Sequence, residues 1–266
     1  MPIFEDQCQR TIYLPDIPRR IVSLVPSQTE LLFDLGLEDA VVGITRYCVH
    51  PHSWFVGKSR VGGTKNIDFS SIRSLNPNLI LANREENSRE QVDALAGNYP
   101  VWVSDIHNLG EALHMIECLG ILTGTREQAG LLCTEIATAF SRLDGLPVLA
   151  EPLKRAAYLI WQKPYMAAGG DTFISDMMHR CGLENIFGSK TRYPEVTLEQ
   201  IRANRCGLLL LSSEPFPFGE KHIDLIRVAL PDTRIILVDG KMFSWYGSRL
   251  RLSVSYLMQL REKIQG

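Results

Sequence analysis

Several chemistries are missing from this chain. Its six cysteines (Cys8, Cys48, Cys118, Cys133, Cys181, Cys206) form no CxxC pair and none of the Cys/His spacings of a structural zinc site, which excludes zinc ribbons and fingers. They read as separate reduced thiols, and no metal ligand is assigned. There is no GxGxxG, no GxxxxGK(S/T) and no GxSxG, so the glycine-rich dinucleotide turn, the phosphate loop and the nucleophile elbow all lack their backbone requirements. No apolar run approaches the ~18 residues of a membrane span. A basic excess is absent too: 28 Lys and Arg stand against 30 Asp and Glu, a formal charge of -2, where a protein tracking phosphates needs the opposite balance. Nucleic acid and membrane insertion are therefore not expected. The first ten residues, MPIFEDQCQR, carry acids where a secretory leader needs a basic and then an apolar region, which gives a cytoplasmic expectation, or a periplasmic one if a leader has been removed.

What is present is an ordinary globular composition over 266 residues, 45% apolar and 22% charged, enough for one large domain or two modest ones. Short β-rich runs at Arg20 to Val25, Val41 to Thr45, Leu79 to Ala82 and Val101 to Ser104 alternate with helix-like stretches. The pattern resumes with Ala156 to Ile160, Gly207 to Ser212 and Arg234 to Val238, separated by helical segments such as Asp171 to Cys181. This is α/β alternation in two lobes. Ser27-Gln-Thr-Glu30 reads as a capping box, and so does Thr125-Arg-Glu-Gln128, which opens a run to Leu143 rich in leucine and with Gly130 as its one breaker. The second predicts a single connecting helix over about 125–143, roughly 27 Å long at 1.5 Å per residue. The expected division is an N-terminal lobe over 1–107, a connecting segment over 108–150 and a C-terminal lobe over 151–266. Ile72-Arg-Ser-Leu and Ile201-Arg-Ala-Asn, each followed by a turn and a leucine-rich strand, hint at an internal repeat.

Two groups of residues invite a functional reading. Cys48-Val-His50-Pro-His52 gathers soft side chains just beyond a predicted strand, where ligands collect in open α/β sheets, but the spacing is loose for a metal. Aromatic residues are better placed, with Tyr47 after the second strand, Trp161 and Tyr165 after Ile160, Tyr193 before the Thr197 helix start, and Trp245 and Tyr246 after the last strand. Rings on strand-end loops suit a flat, largely apolar ligand.

Four strings carry a family resemblance: Arg20-Ile-Val-Ser-Leu-Val-Pro-Ser-Gln-Thr-Glu30-Leu, Ala82-Asn-Arg84-Glu-Glu-Asn87-Ser-Arg-Glu-Gln91-Val, Cys181-Gly-Leu-Glu-Asn185-Ile-Phe187 and Pro194-Glu-Val-Thr-Leu-Glu199-Gln-Ile. In this order they resemble the helical-backbone (class III) substrate-binding proteins of ABC importers, which carry cobalamin, haem and ferric siderophores, and within them most of all the cobalamin binders. The resemblance implies two Rossmann-like α/β lobes joined by one long backbone helix, a chelatase-like fold, with the ligand in the interlobe cleft. It places Tyr47, Trp161, Tyr165 and Tyr193 on aromatic pocket positions, Arg249 on a family arginine, and Glu199 on one of two acids that dock onto the permease. Thr64 and Asn83 stand where pocket tryptophans are found, Lys241 and Trp245 replace an acidic and a basic contact, Ser70 replaces the other docking acid, and Met258 replaces the partner of Cys181 in a disulfide.

The expected function is a monomeric, non-catalytic binding protein for a cobalamin-like, haem-like or ferric-chelate ligand, serving an ABC permease or acting as an intracellular carrier. The ligand-facing residues would be Tyr47, Trp161, Tyr165, Tyr193, Trp245 and Tyr246, with Arg249 for an anionic edge and Ser27 at a helix start for a phosphate or carboxylate. No covalent cofactor is required. Two other classes stay open at this point. One is a cytoplasmic enzyme acting on a tetrapyrrole or metal complex through Cys48, His50 or His52. The other is a regulatory module on the same fold.

Overall fold

The computed structural model describes residues 3–147, 149–151 and 154–265, and the chain divides into two compact units. The first comprises the chain up to Ile106, Gly110–Glu135 and Tyr246–Arg249; the second comprises His107–Leu109, Ile136–Trp245 and the chain from Leu250 onward.

The first unit opens with an antiparallel hairpin, β1 (Ile3–Glu5) and β2 (Thr11–Tyr13). Then follow β3 (Ile21–Ser23), α1 (Pro26–Asp34), β4 (Val41–Ile44), α2 (His52–Gly57), β5 (Ser59–Arg60), α3 (Phe69–Leu75), β6 (Leu79–Asn83), α4 (Arg89–Ala96) and β7 (Val101–Ser104). They build a five-stranded parallel sheet in the order β5-β4-β3-β6-β7. Every residue of β3, β6 and β7 is buried, as expected for parallel strands covered on both faces. Two helices follow, α5 (Leu109–Thr123) and α6 (Arg126–Asp144). The stretch read as one connecting helix is α6, and the boundary between the units falls inside it, after Glu135.

The second unit runs β8 (Arg155–Trp161), β9 (Tyr165–Ala167), α7 (Phe173–Arg180), β10 (Glu184–Asn185), β11 (Glu195–Val196), α8 (Leu198–Ala203), β12 (Leu208–Ser212), α9 (Glu220–Ala229), β13 (Arg234–Val238), α10 (Lys241–Ser244) and α11 (Leu250–Gln265). Its sheet has the order β11-β9-β8-β12-β13, with β10 also paired to β8. Strands β10, β8, β12 and β13 are parallel, and β9 and β11 are antiparallel additions.

The repeat hinted at by Ile72 and Ile201 extends to the topology. In the first unit β3 lies between β4 and β6, with β7 beyond; in the second, β8 lies beside β10 and β12, with β13 beyond. Each leading strand is preceded or opened by an arginine that closes the corresponding helix. Arg20 Nε donates to the Leu75 carbonyl at 2.9 Å, and Arg155 Nη2 donates to the Asn204 carbonyl at 2.9 Å. Both use a guanidinium to satisfy carbonyls left open at a helix C-terminus.

One local reading is corrected. Ser27 to Glu30 is not a capping box, because α1 begins at Pro26 with Val25 as its N-cap and no side-chain cap. Proline at the first position presets φ and has no N–H to satisfy, so the helix starts a residue earlier and Ser27 lies inside it, 6% exposed.

Candidate ligand-binding site

In each unit some of the residues singled out by the sequence, Tyr47 in the first and Trp161 in the second, lie where parallel strands end, the edge at which open α/β sheets bind ligands. In the first unit that edge is a fixed polar scaffold carrying an exposed ring. After β4, the Arg46 N–H donates to the Gly62 carbonyl at 2.9 Å and the Tyr47 N–H to Thr45 Oγ1 at 3.3 Å. Tyr47 itself is 55% exposed. Its ring lies over Gly63, where an added Cβ would approach Tyr47 Cε2 to 3.1 Å, so glycine permits this close seat.

Asn83 and Thr64, at positions where the resemblance would have placed tryptophans, shape the neighbouring loop. The buried Asn83 amide donates to the Ser104 carbonyl at 2.9 Å and its oxygen accepts the N–H groups of Glu85 and Glu86, while the Thr64 carbonyl accepts from Asn87 Nδ2 at 2.9 Å.

Cys48 faces inward. It is fully buried, its sulfur lies 3.1 Å from the hydroxyls of both Thr29 and Thr45, and burial pushes its thiol pKa up. His52 starts α2 and packs near Phe55. A reactive Cys48/His50/His52 cluster is not assembled, since its thiol is inaccessible; among the described residues no three His, Cys, Asp or Glu side chains come together as a metal group.

In the second unit Trp161 closes β8 and is 39% exposed, with its ring edge-on to Phe216 at 5.7 Å. Tyr165 opens β9 on the other side of the hairpin, its hydroxyl 3.4 Å from Gln162 Nε2, and Tyr193 is half-buried before β11. Trp161 and Phe216 thus form an aromatic rim, and Tyr165 packs against the core beneath the same sheet. Phe216 and Glu214 were not singled out by sequence, although Ser213-Glu214-Pro215-Phe216 follows β12 and the same strand-end rule applies to it.

Other expected contacts lie within the packing. Trp245 is 8% exposed, and its indole N–H donates to Glu214 Oε1 at 2.9 Å. Burial pushes the Glu214 carboxyl pKa up, while the hydrogen bonds from Trp245 and Ser244 act against that shift. Tyr246, in the first unit, is 5% exposed. Arg249, also in that unit, is committed to Glu30, and Ser27 packs against the close approach of Gly247. Glu199 is exposed in the first turn of α8, and its carboxyl pKa is lowered by the Thr197 hydroxyl and then by a backbone N–H. Ser70 lies in α3, whose N-cap is Asp68.

The model of a family described as periplasmic binding protein matches residues 21–216. A vitamin B12-binding protein of Yersinia pestis (strain Pestoides F) is 29% identical over 195 residues, covering 73% of this chain and 69% of the relative. Among solved structures, the periplasmic vitamin B12 binding protein of Vibrio cholerae superposes with a TM-score of 0.77 at 20% identity, covering 94% of this chain and 99% of that one. The periplasmic haem-binding protein of the same organism gives 0.76 at 20% identity, covering 93% and 99%. The family match overturns the cytoplasmic expectation drawn from the first ten residues, because the family is one of periplasmic binding proteins. They also remove the enzyme alternative, since the family consists of binding proteins. The chain belongs to the periplasmic binding protein family.

Proposed function

We propose that this protein binds a large, flat metal complex of the cobalamin, haem or ferric-chelate kind and presents it to an ABC permease. The observation that carries the reading is Trp161, a large ring left 39% exposed at a strand end and braced by Phe216. An indole exposed without a ligand gives up hydrophobic stabilisation that stacking on a ligand restores. Tyr47 in the first unit, and Tyr165 and Tyr193 in the second, supply further aromatic faces. Vitamin B12 binding by the Yersinia relative supports the cobalamin class, and haem binding by the Vibrio protein of similar fold supports the tetrapyrrole class. Glu199 is the permease-facing acid: exposed and ionised, it is suited to steer a basic partner surface.

Titrating the purified protein with cyanocobalamin, hemin and a ferric siderophore, followed by calorimetry and visible absorbance, tests this. Saturable binding of one of them is expected, weakened by about 1–3 kcal/mol in Trp161→Ala if that ring is central to the contact. Absence of saturation with all three rejects the ligand class; unchanged affinity in Trp161→Ala rejects the assignment of the rim.

A further inference from the structure

Arg46 and Tyr47, consecutive in the loop that follows β4, send their side chains over the same glycine. A Cβ added to Gly63 would lie 3.1 Å from Tyr47 Cε2, 3.5 Å from Arg46 Nε and 3.8 Å from Arg46 Nη2, so the ring and the guanidinium share one patch of backbone that no side chain covers. That backbone is held in place. The Arg46 N–H donates to the Gly62 carbonyl at 2.9 Å, the Gly63 N–H donates to the Asn66 carbonyl at 2.7 Å, and Gly62 sits at a φ of +91°, a conformation that strains any residue with a Cβ.

Both side chains are exposed. Arg46 differs from the basic residues around it in what its guanidinium does. Lys65, on the same turn, donates to the Glu85 carbonyl, and Arg60 donates to the Lys58 carbonyl and lies over the Phe55 ring. Arg84 pairs with Asp105, and Arg249 pairs with Glu30. The Arg46 side chain makes no hydrogen bond or ion pair with any described residue.

An uncommitted cation beside an exposed ring discriminates between ligands by charge. A flat body resting on Tyr47 brings its edge to Arg46, and an anionic oxygen on that edge gains a charge-assisted hydrogen bond from the planar guanidinium. A neutral edge covers the cation without compensating it, which costs free energy. Corrin rings are edged by neutral amides, whereas haem carries carboxylates and ferric catecholates carry their negative charge on phenolate oxygens.

We propose that Arg46 sets the charge of the ligand, so that the protein takes an anionic metal complex, edged by carboxylate or phenolate oxygens, in preference to a neutral one such as cyanocobalamin. The inference rests on the metal-complex reading given above. It moves to Arg46 the anionic-edge role expected of Arg249, whose guanidinium is committed to Glu30.

The test uses the full chain, with hemin and a ferric tris-catecholate as anionic probes and a neutral ferric tris-hydroxamate and cyanocobalamin as uncharged ones. Each is titrated against the wild type, Arg46→Ala and Arg46→Lys. At least one anionic probe should bind about tenfold or more tightly than either neutral probe, and which of the two does so tells carboxylate from phenolate as the source of the charge. Arg46→Ala should weaken that probe by about tenfold or more, flatten the salt dependence of its binding and leave the neutral probes unchanged. Arg46→Lys should keep the salt dependence and recover only part of the affinity, since an ammonium lacks the planar fork. Because Arg46 is exposed, an unchanged urea midpoint is expected in both variants and separates lost contact from lost folding. Tighter binding of a neutral probe, or unchanged anionic affinity in Arg46→Ala, overturns the charge selection and leaves the metal-complex reading standing. Absence of saturation with every probe overturns both.

Discussion

Glu30 and Arg249, 219 residues apart in the chain, meet in a two-point ion pair: Arg249 Nε donates to Glu30 Oε2 at 2.8 Å and Nη2 to Oε1 at 2.5 Å. Their side chains are 17% and 10% exposed, so both charges are largely withdrawn from water. The pair ties α1 to the Tyr246–Arg249 segment within the first unit, although this segment comes late in the chain. Removing one charge from such a pair strands the other, at a cost of about 3–5 kcal/mol when burial is complete. Glu30→Gln should therefore lower stability in urea by about 2–4 kcal/mol, somewhat below the fully buried limit. The double variant Glu30→Leu/Arg249→Met should lose less than the sum of the single losses. A strictly additive double variant would show that the two residues act independently.

Glu214 gives a pH prediction of definite sign. Burial raises its folded-state carboxyl pKa above the ordinary 4.5, so the folded state holds this proton more tightly than the unfolded chain does. At pH below 4.5 both states are protonated and the contribution is complete; as pH rises through the interval above 4.5 the unfolded chain ionises first, and stability is lost. Glu214→Gln keeps an oxygen to accept from Trp245 and Ser244 but carries no charge. It should be relatively more stable than the wild type at pH 7 than at pH 4, as read from paired denaturation curves. A difference that stays constant with pH would refute the linkage.

The parallel sheets were legible because their strands are buried on both faces and read as short unbroken apolar runs. Val101 to Ser104 and Arg234 to Val238 match β7 and β13 residue for residue. The antiparallel additions β9 and β11 were not legible, since Tyr165–Ala167 and Glu195–Val196 are too short for a period to show and are fixed by pairing, β9 in a hairpin with β8 and β11 on β9. Arg249 and Trp245 show the same limit at the site. A sequence displays an arginine and an indole near a strand end, but only the fold brings Glu30 and Glu214 to occupy them.

Asp68 tests the local chemistry of a helix start. Its Oδ1 accepts the Ser70 hydroxyl at 2.7 Å and the N–H groups of Ser70 and Ser71, while Oδ2 accepts the Ser71 hydroxyl at 2.7 Å. These bonds favour the ionised form and lower its pKa from 3.8 to about 2, with the Ser70 hydroxyl the largest cause. The depressed value means that its support for α3 is present above the unfolded pKa and is lost as pH falls toward 2. Carboxyl-carbon NMR should follow a midpoint near 2 in the wild type, rising toward the ordinary value in Ser70→Ala/Ser71→Ala. An unshifted midpoint in the double variant would assign the effect to the helix backbone instead.

The cysteines should divide sharply by reactivity. Cys48, Cys133, Cys181 and Cys206 are buried, whereas Cys8 and Cys118 are half-buried. Burial raises the thiol pKa of Cys181 to about 12 and of Cys133 and Cys206 to about 11, so each of these lacks both solvent access and thiolate character. The bridge that the resemblance would assign to Cys181 has Met258 at its other end, and Cys181 instead directs its thiol to the Leu257 carbonyl at 3.8 Å. All six cysteines are free, and shielding by the core rather than pairing protects the four buried ones from oxidation. Native protein treated with iodoacetamide should be labelled at Cys8 and Cys118 alone, with all six labelled after denaturation, as counted by intact mass and located by peptide mapping. Rapid native labelling of Cys181 would show that the core around α7 and α11 opens readily.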